Sequence, residues 1–269
     1  MEPYKVNFNK INTKNLIYIH KKKVGANLYR GQTKNVVPFL SHGIGTMTFA
    51  DGKVYEGYWE NGQRSGHGRL VHANGSTYIG EWKNDLTNGN GVFENVEGYR
   101  YEGQWMNDTL HGTGIETWAD NGSKFMGAFV DSKKHGKGRF DWADGSYYEG
   151  DFEDGVFHGE GEYYFPDQQK TYYGQFVKGI VSGKGKEVWA DGREYIGDFA
   201  NGKKEGQGTM TIPGSKQYSG EWLNNLKNGI GFEINLVGHT KRKGEWKKGK
   251  WFRWLSNTET ISGSVKTTA

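Results

Sequence analysis

Rings and glycines alternate with polar residues along most of the chain. In "YIGEWKNDLTNGNG" (78–91), Tyr78, Gly80 and Trp82 share one parity and Ile79, Glu81 and Lys83 the other, the period of a strand with one buried face. The pattern aromatic-x-Gly-x-aromatic recurs as YEGYW (55–59), YIGEW (78–82), YEGQW (101–105), FMGAF (125–129), YEGDF (148–152), YYGQF (172–176), YIGDF (195–199) and YSGEW (218–222). YRGQT (29–33) precedes these copies and RKGEW (242–246) follows them. The central glycines, from Gly57 to Gly220, are 23 or 24 residues apart, and a Gly-x-Gly pair begins nine residues after each. A fixed period of this length is the signature of a repeat array.

All of the length variation lies between the Gly-x-Gly pair and the next ring, where the chain reads ADGK, ANGS, ADNGS, PDQQK or IPGS. Asp-Gly and Asn-Gly tolerate positive φ and mark hairpin turns. An insertion there is cheap, whereas one inside a paired strand turns every side chain to the other face. Each repeat is therefore expected to be two short antiparallel strands, with no room for a helix. Alternation places Tyr55, Gly57, Trp59, Tyr78, Gly80, Trp82, Tyr101, Gly103, Trp105, Tyr148, Gly150, Phe152, Tyr195, Gly197, Phe199, Tyr218, Gly220 and Trp222 in the inward core of the array. The second strand adds its Gly-x-Gly and pairs such as Phe140/Trp142 and Tyr163/Phe165 to the same face. Glycine is costly in a strand, by about 0.5–1 kcal/mol. A missing Cβ, however, leaves a socket in which a ring from the adjacent strand or repeat can lie.

A lone hairpin is marginal in water, so successive hairpins must stack. The expected fold is all-β: an elongated single twisted antiparallel sheet, a β-hairpin solenoid of about nine to ten hairpins. Residues 1–28 form a basic N-terminal extension, 29–255 the array (full repeats about 55–240, degenerate ends) and 256–269 a tail.

Composition fits a thin aromatic layer. The chain has 43 glycines, far above the usual ~7%, and its 34% hydrophobic residues include 14 Phe, 10 Trp and 16 Tyr. It has no cysteine, which excludes disulfides and thiolate metal sites. The longest apolar stretch at the N-terminus, "LIYI" at 16–19, is too short for a signal peptide or a membrane span. Charge is unevenly placed. Residues 1–50 carry eight Lys/Arg against Glu2, residues 241–269 eight against two acids, and the body between them 19 against 28. An acidic body repels a phosphate backbone, so nucleic acid is not an expected partner.

Five histidines tempt a catalytic or metal reading. His42, His111, His135 and His158 precede the first glycine of a pair and His67 lies inside one. Equivalent positions in a stacked array are two strands apart, about 10 Å, too far to share an ion, so turn chemistry is the expected role. Glu149 and Asp151 sit two apart on one strand but at outward positions where acids and amides recur as solvent-facing residues. No third glycine completes a nucleotide fingerprint. No catalytic residue, metal or cofactor is expected.

The repeat, of the form YEGEWKNGKxHGxGxxxxxDG, resembles the MORN (membrane occupation and recognition nexus) motif over about residues 29–255. The resemblance implies a twisted antiparallel sheet with a Tyr, Gly and Trp/Phe core and no chemistry of its own. It also implies a scaffold role, as in radial spokes and other axonemal structures, junctional membrane tethers and protist cell-division scaffolds. The chain departs from the motif at Thr33 and Arg242, which replace rings, and at Glu116, Glu187 and Glu233, which stand at inward positions. The leading expectation is a non-enzymatic subunit of a large cytoplasmic, cytoskeletal assembly such as a ciliary axonemal complex, contacting other proteins or its own copies. The alternative is a tether holding anionic phospholipids through its basic ends, which the acidic body opposes. Candidate partner contacts are Tyr164 and Tyr173, on adjoining strands, and Trp251 and Trp254 in "WKKGKWFRWLSN" (246–257).

Overall fold

Each motif folds as a strand, a tight turn and a returning strand. In the repeat beginning at Thr77, the strands Thr77–Lys83 and Leu86–Glu94 are joined by Asn84 (φ 52°) and Asp85 (φ 68°). Two successive left-handed residues make the type I′ turn, whose twist matches that of paired strands. The connection to the next repeat is looser. In the preceding repeat, at His72–Ser76, Gly75 N–H donates to His72 O at 2.9 Å and His72 N–H to Ser76 O at 2.8 Å. The length variation seen in the sequence falls at these connections; the one after Phe165 contains a single 3-10 turn, Pro166–Gln168.

The computed structural model describes residues 16–36 and 38–261; the expected extension over 1–15 and tail over 262–269 lie outside the described residues. The chain divides into two units, Met1–His135 and Gly136–Ala269. In the first, every strand from Leu16–Val24 to Lys124–Val130 pairs antiparallel with its neighbour in sequence. In the second, the same holds from the Gly136 end of the strand Lys133–Asp141 to Lys250–Trp254. Both units are thus antiparallel sheet in hairpin order, the all-β hairpin array expected from the sequence.

The register aligns the glycines. In the first unit Gly31, Gly45, Gly57, Gly68, Gly80, Gly91, Gly103, Gly114 and Gly127 face one another from strand to strand. A second row runs from Gly138 to Gly244. Most hairpins also carry the same bulge. Gly80 faces Gly91 but Trp82 faces Thr87, so the returning strand has two extra residues there. Two extra residues, unlike one, leave the parity of the strand intact, and the rings beyond the bulge stay on the buried face.

Candidate functional site

The tyrosine of each motif lies over the second glycine of its own repeat. A Cβ added at Gly114 would stand 2.5 Å from Tyr101 Cε2 and Oη, and the same relation holds for Gly161 with Tyr148 and for Gly231 with Tyr218. The phenol then donates to the carbonyl three residues on: Tyr101 to Gln104 O at 2.8 Å, Tyr148 to Asp151 O at 2.7 Å, Tyr218 to Glu221 O at 3.0 Å. Where the second ring is tryptophan, its indole N–H donates to the preceding glycine carbonyl, as in Trp82 to Gly68 O at 3.2 Å and Trp222 to Gly208 O at 2.9 Å. Both polar handles are thereby satisfied inside an aromatic layer.

The rings form an edge-to-face relay through each unit. Tyr55 meets Trp59 at 5.0 Å and the next repeat's Trp82 at 5.3 Å; Tyr78 meets Trp82 at 5.1 Å and Trp105 at 5.2 Å. In the second unit Tyr148 bridges Phe152 and Phe176, and Tyr195 bridges Phe199 and Trp222, all near 5.1 Å. Each such pair adds about 0.5–1.5 kcal/mol beyond burial. Tyr55, Tyr101, Tyr148 and Tyr195 are fully buried and Tyr78, Tyr218, Trp59, Trp82, Trp222, Phe152 and Phe199 nearly so, while Trp105 is half-buried. Burial pushes the phenols well above their usual range, Tyr218 to about 12.

Only the second glycine of each pair is a ring socket. The first has positive φ, +90° at Gly89, and a Cβ there would meet the outward Glu81 side chain. It allows the bulge, and Glu81 caps the bulge by accepting the Asn90 N–H at 2.9 Å. Gln104 does the same for Thr113 at 2.8 Å and Asp198 for Gln207 at 2.9 Å. The acids and amides that looked solvent-facing in the sequence therefore close the ladder at the bulge. Asp151 caps Glu160 N–H at 3.1 Å and pairs with Lys137, while Glu149 pairs with Arg139 at 3.0 Å. The histidines lie beside the first glycine of each pair, and His42 serves a turn as expected, its Nδ1 accepting the Asn61 N–H at 3.3 Å, while His158 Nδ1 lies 3.2 Å from Glu153. Among the described residues no group of three His, Asp or Glu comes together as a metal set.

Two of the three inward acids, Glu116 and Glu187, are ion-paired. Glu116, 7% exposed, accepts the Tyr99 hydroxyl at 2.6 Å and meets Lys134 Nζ at 2.5 Å. Glu187, equally buried, binds Lys170 at 2.6 Å and Lys204. Lys204 lies over the Tyr195 ring at 5.0 Å, and its burial, opposed by Glu187, holds its pKa below the ordinary lysine value. Sequence reading missed these lysines, although Lys134 and Lys204 both occupy the position five residues after the second ring of a motif.

In the first unit the ring face opens into a cavity of about 620 Å³ lined by Tyr78, Trp82, Thr87, Phe93 and Trp105, among others. On the opposite face of the second unit, cross-strand pairing puts Tyr173, Lys186, Ile196, Thr209, Ser219 and Phe232 in one row, and its three apolar members are 40–49% exposed. Tyr164 is half-buried, stacked on Tyr147 at 5.7 Å. Trp251 is exposed, whereas Trp254 is half-buried against Trp246 at 6.0 Å with Arg242 over it at 4.5 Å.

A family model for the MORN repeat matches residues 40–54, 55–77, 78–98, 101–123, 125–147, 148–170, 172–192, 195–215 and 218–234. The chain belongs to the MORN-repeat family. No curated protein sequence matches this MORN-repeat chain. Solved structures similar to it include a point mutant of the TCP10 domain of Danio rerio CPAP, at 9% identity over 71% of this chain and 88% of that one, TM-score 0.39. Another is the SAS-4 (dCPAP) TCP domain of Drosophila melanogaster in complex with a proline-rich motif of Ana2 (dSTIL), at 9% identity over 82% and 98%, TM-score 0.31. A streptogramin B lyase matches at 10% identity over 87% and 77%, TM-score 0.16. No helix among the described residues is long and apolar enough to cross a membrane.

Proposed function

We propose that this MORN-repeat protein is a non-enzymatic scaffold that holds other proteins in a large cytoskeletal assembly. The observation that carries the reading is the outward row of Tyr173, Ile196 and Phe232, exposed apolar side chains spaced by Lys186, Thr209 and Ser219. Exposed apolar side chains, aromatic ones above all, gathered in one row are the groups that form the centre of a protein contact. Tyr164 flanks this row, and Trp251 and Trp254 offer a second contact at the last hairpin. The specific setting proposed, a ciliary axonemal complex such as a radial spoke, is supported by resemblance to axonemal MORN-repeat proteins.

Co-purification of the full chain against Ile196→Asp/Phe232→Asp tests the reading. A defined set of proteins retained by the first and lost from the second is expected, and retention of the same set by the variant removes the row from the proposal. A second reading, tethering to anionic membrane, is favoured by exposed Trp251 and Phe252 next to Lys248 and Lys250, since rings and cations together suit a lipid interface. It is opposed by the acidic body. Flotation with phosphatidylserine vesicles at physiological salt, abolished by charge reversal at Lys248 and Lys250, is the result that would replace the scaffold with the tether.

A further inference from the structure

Five residues after the second ring of each motif, one side chain faces back toward that ring: Arg64 opposite Trp59, Leu110 opposite Trp105, Phe157 opposite Phe152, Val181 opposite Phe176, Lys204 opposite Phe199. Opposite Trp82 this position holds the short Thr87. Thr87 is 7% exposed, lines the 620 Å³ cavity, and its hydroxyl has no hydrogen-bond partner. A buried hydroxyl left unmatched is costly, and in a cavity of this size it marks the polar point that orients a ligand.

The second unit shows what fits such a place. Phe157 stacks on Tyr148 with ring centroids 3.9 Å apart and planes at 17°, and meets Phe152 and Phe176 edge-on at 5.5 and 6.1 Å and Tyr163 at 6.3 Å. By repeat position, Tyr148, Phe152, Tyr163 and Phe176 correspond to Tyr78, Trp82, Phe93 and Trp105, four residues that line the cavity. The charges around it are already matched within the chain. Arg64 pairs with Asp85, Glu116 with Lys134 and Lys53 with Asp51, and Asp108 accepts the Thr87 N–H. A charged guest would have to compete with these contacts, whereas a neutral ring with one polar hydrogen satisfies both the walls and the hydroxyl.

We propose that the cavity beside Thr87 is an anchor site for a tyrosine or tryptophan side chain of a partner protein. The ring takes beside Tyr78 the place that Phe157 takes on Tyr148, and its phenol O–H or indole N–H donates to Thr87 Oγ1. The cavity exceeds one side chain, so flanking residues of the partner segment enter with the anchor. The inference rests on the scaffold reading and gives it a recognition chemistry.

The test is titration of the full chain with N-acetyl-L-tryptophanamide, N-acetyl-L-tyrosinamide, N-acetyl-L-phenylalaninamide and N-acetyl-L-leucinamide, followed through the indole N–H resonances of Trp82 and Trp105. The aromatic amides should shift both signals at millimolar concentration and the leucine amide should not. Thr87→Phe supplies an internal ring and should weaken the response about tenfold or more while raising Tm. Thr87→Leu, which copies the residue at Leu110, serves the same purpose if the phenylalanine variant does not fold. Thr87→Val should keep the ring response but lose the preference for tyrosine and tryptophan over phenylalanine. Absence of any shift at Trp82 and Trp105, or a shift that survives Thr87→Phe or Thr87→Leu, overturns the anchor site. Loss of co-purifying proteins in the outer-row variant would stand in either case, so failure of the anchor is separable from failure of the scaffold.

Discussion

If Tyr101 needs a bare backbone beneath it, Gly114→Ala must be costly only while the ring is present. The added Cβ would lie 2.5–2.6 Å from Tyr101 Cε2, Oη and Cζ, about an ångström inside normal carbon contact. Tyr101 is fully buried between Trp105 at 5.2 Å and Phe129 at 5.3 Å, so it cannot swing away without breaking the relay. Overpacking of this kind costs about 1–3 kcal/mol, occasionally more. Tyr101→Ala alone should cost about 3–5 kcal/mol through lost burial and a residual cavity. In the double variant the clash is gone, and alanine even recovers the roughly 0.5–1 kcal/mol that glycine costs in a strand. The cycle should therefore show a coupling of about 1.5–4 kcal/mol, with the double variant at least as stable as Tyr101→Ala. Urea unfolding followed by circular dichroism gives the four midpoints, and amide exchange on the strands Tyr99–Met106 and Thr109–Trp118 locates the loss. Strictly additive effects would refute the ring-on-glycine account.

Stability should collapse at high pH. Tyr29, Tyr55, Tyr101, Tyr148, Tyr172, Tyr195 and Tyr218 have folded-state pKa values raised by burial above the ordinary value of 10.0. Their stabilisation is complete below pH 10 and is lost as pH rises from there through the folded values, at about 1.4 kcal/mol per pH unit each. Buried Lys204 and Lys227 have lowered values and act in the opposite sense up to about 10.5, but they are two against seven. Tyrosinate absorbance should appear together with loss of the strand signal; phenols titrating near 10 in an intact sheet would contradict the burial argument. Glu187→Gln should cost about 3–5 kcal/mol by stranding Lys170 and Lys204, whereas replacing all three by apolar residues of similar volume should be neutral or stabilising, measured as Tm. Gln104→Ala should cost about 0.5–1.5 kcal/mol by uncapping Thr113 N–H, and Glu102→Ala, on the same outward side, within about 0.5 kcal/mol.

The inward placement of Tyr101 and the pairing of hairpins were legible because a period of two, repeated every 23 or 24 residues, admits few other arrangements. The role of Gly89 was not legible, since a bulge of two residues preserves parity and leaves no trace in the alternation. Glu81 and Gln104 then passed for solvent-facing residues, when they cap that bulge. Glu187 stood out as an inward acid, but its partners Lys170 and Lys204 are 17 residues away on either side and come together only through strand pairing. Thr87 could have been found by aligning the column five residues after each second ring. What that column cannot supply is the cavity, which depends on how Leu70, Phe93 and Trp105 surround it.

In each unit the ladder bonds run from strand to strand, and the turn of one repeat is clipped to the previous one, as where Thr87 N–H meets Asp108 and Asp108 N–H meets Thr87 O. A pull applied across successive hairpins therefore peels them in sequence, one clip at a time, instead of shearing the whole sheet at once. Each released 23-residue segment yields up to about 80 Å of slack. A molecule anchored at both ends in moving machinery would behave as a fuse with graded extension, giving way by single rungs and zipping closed when tension drops.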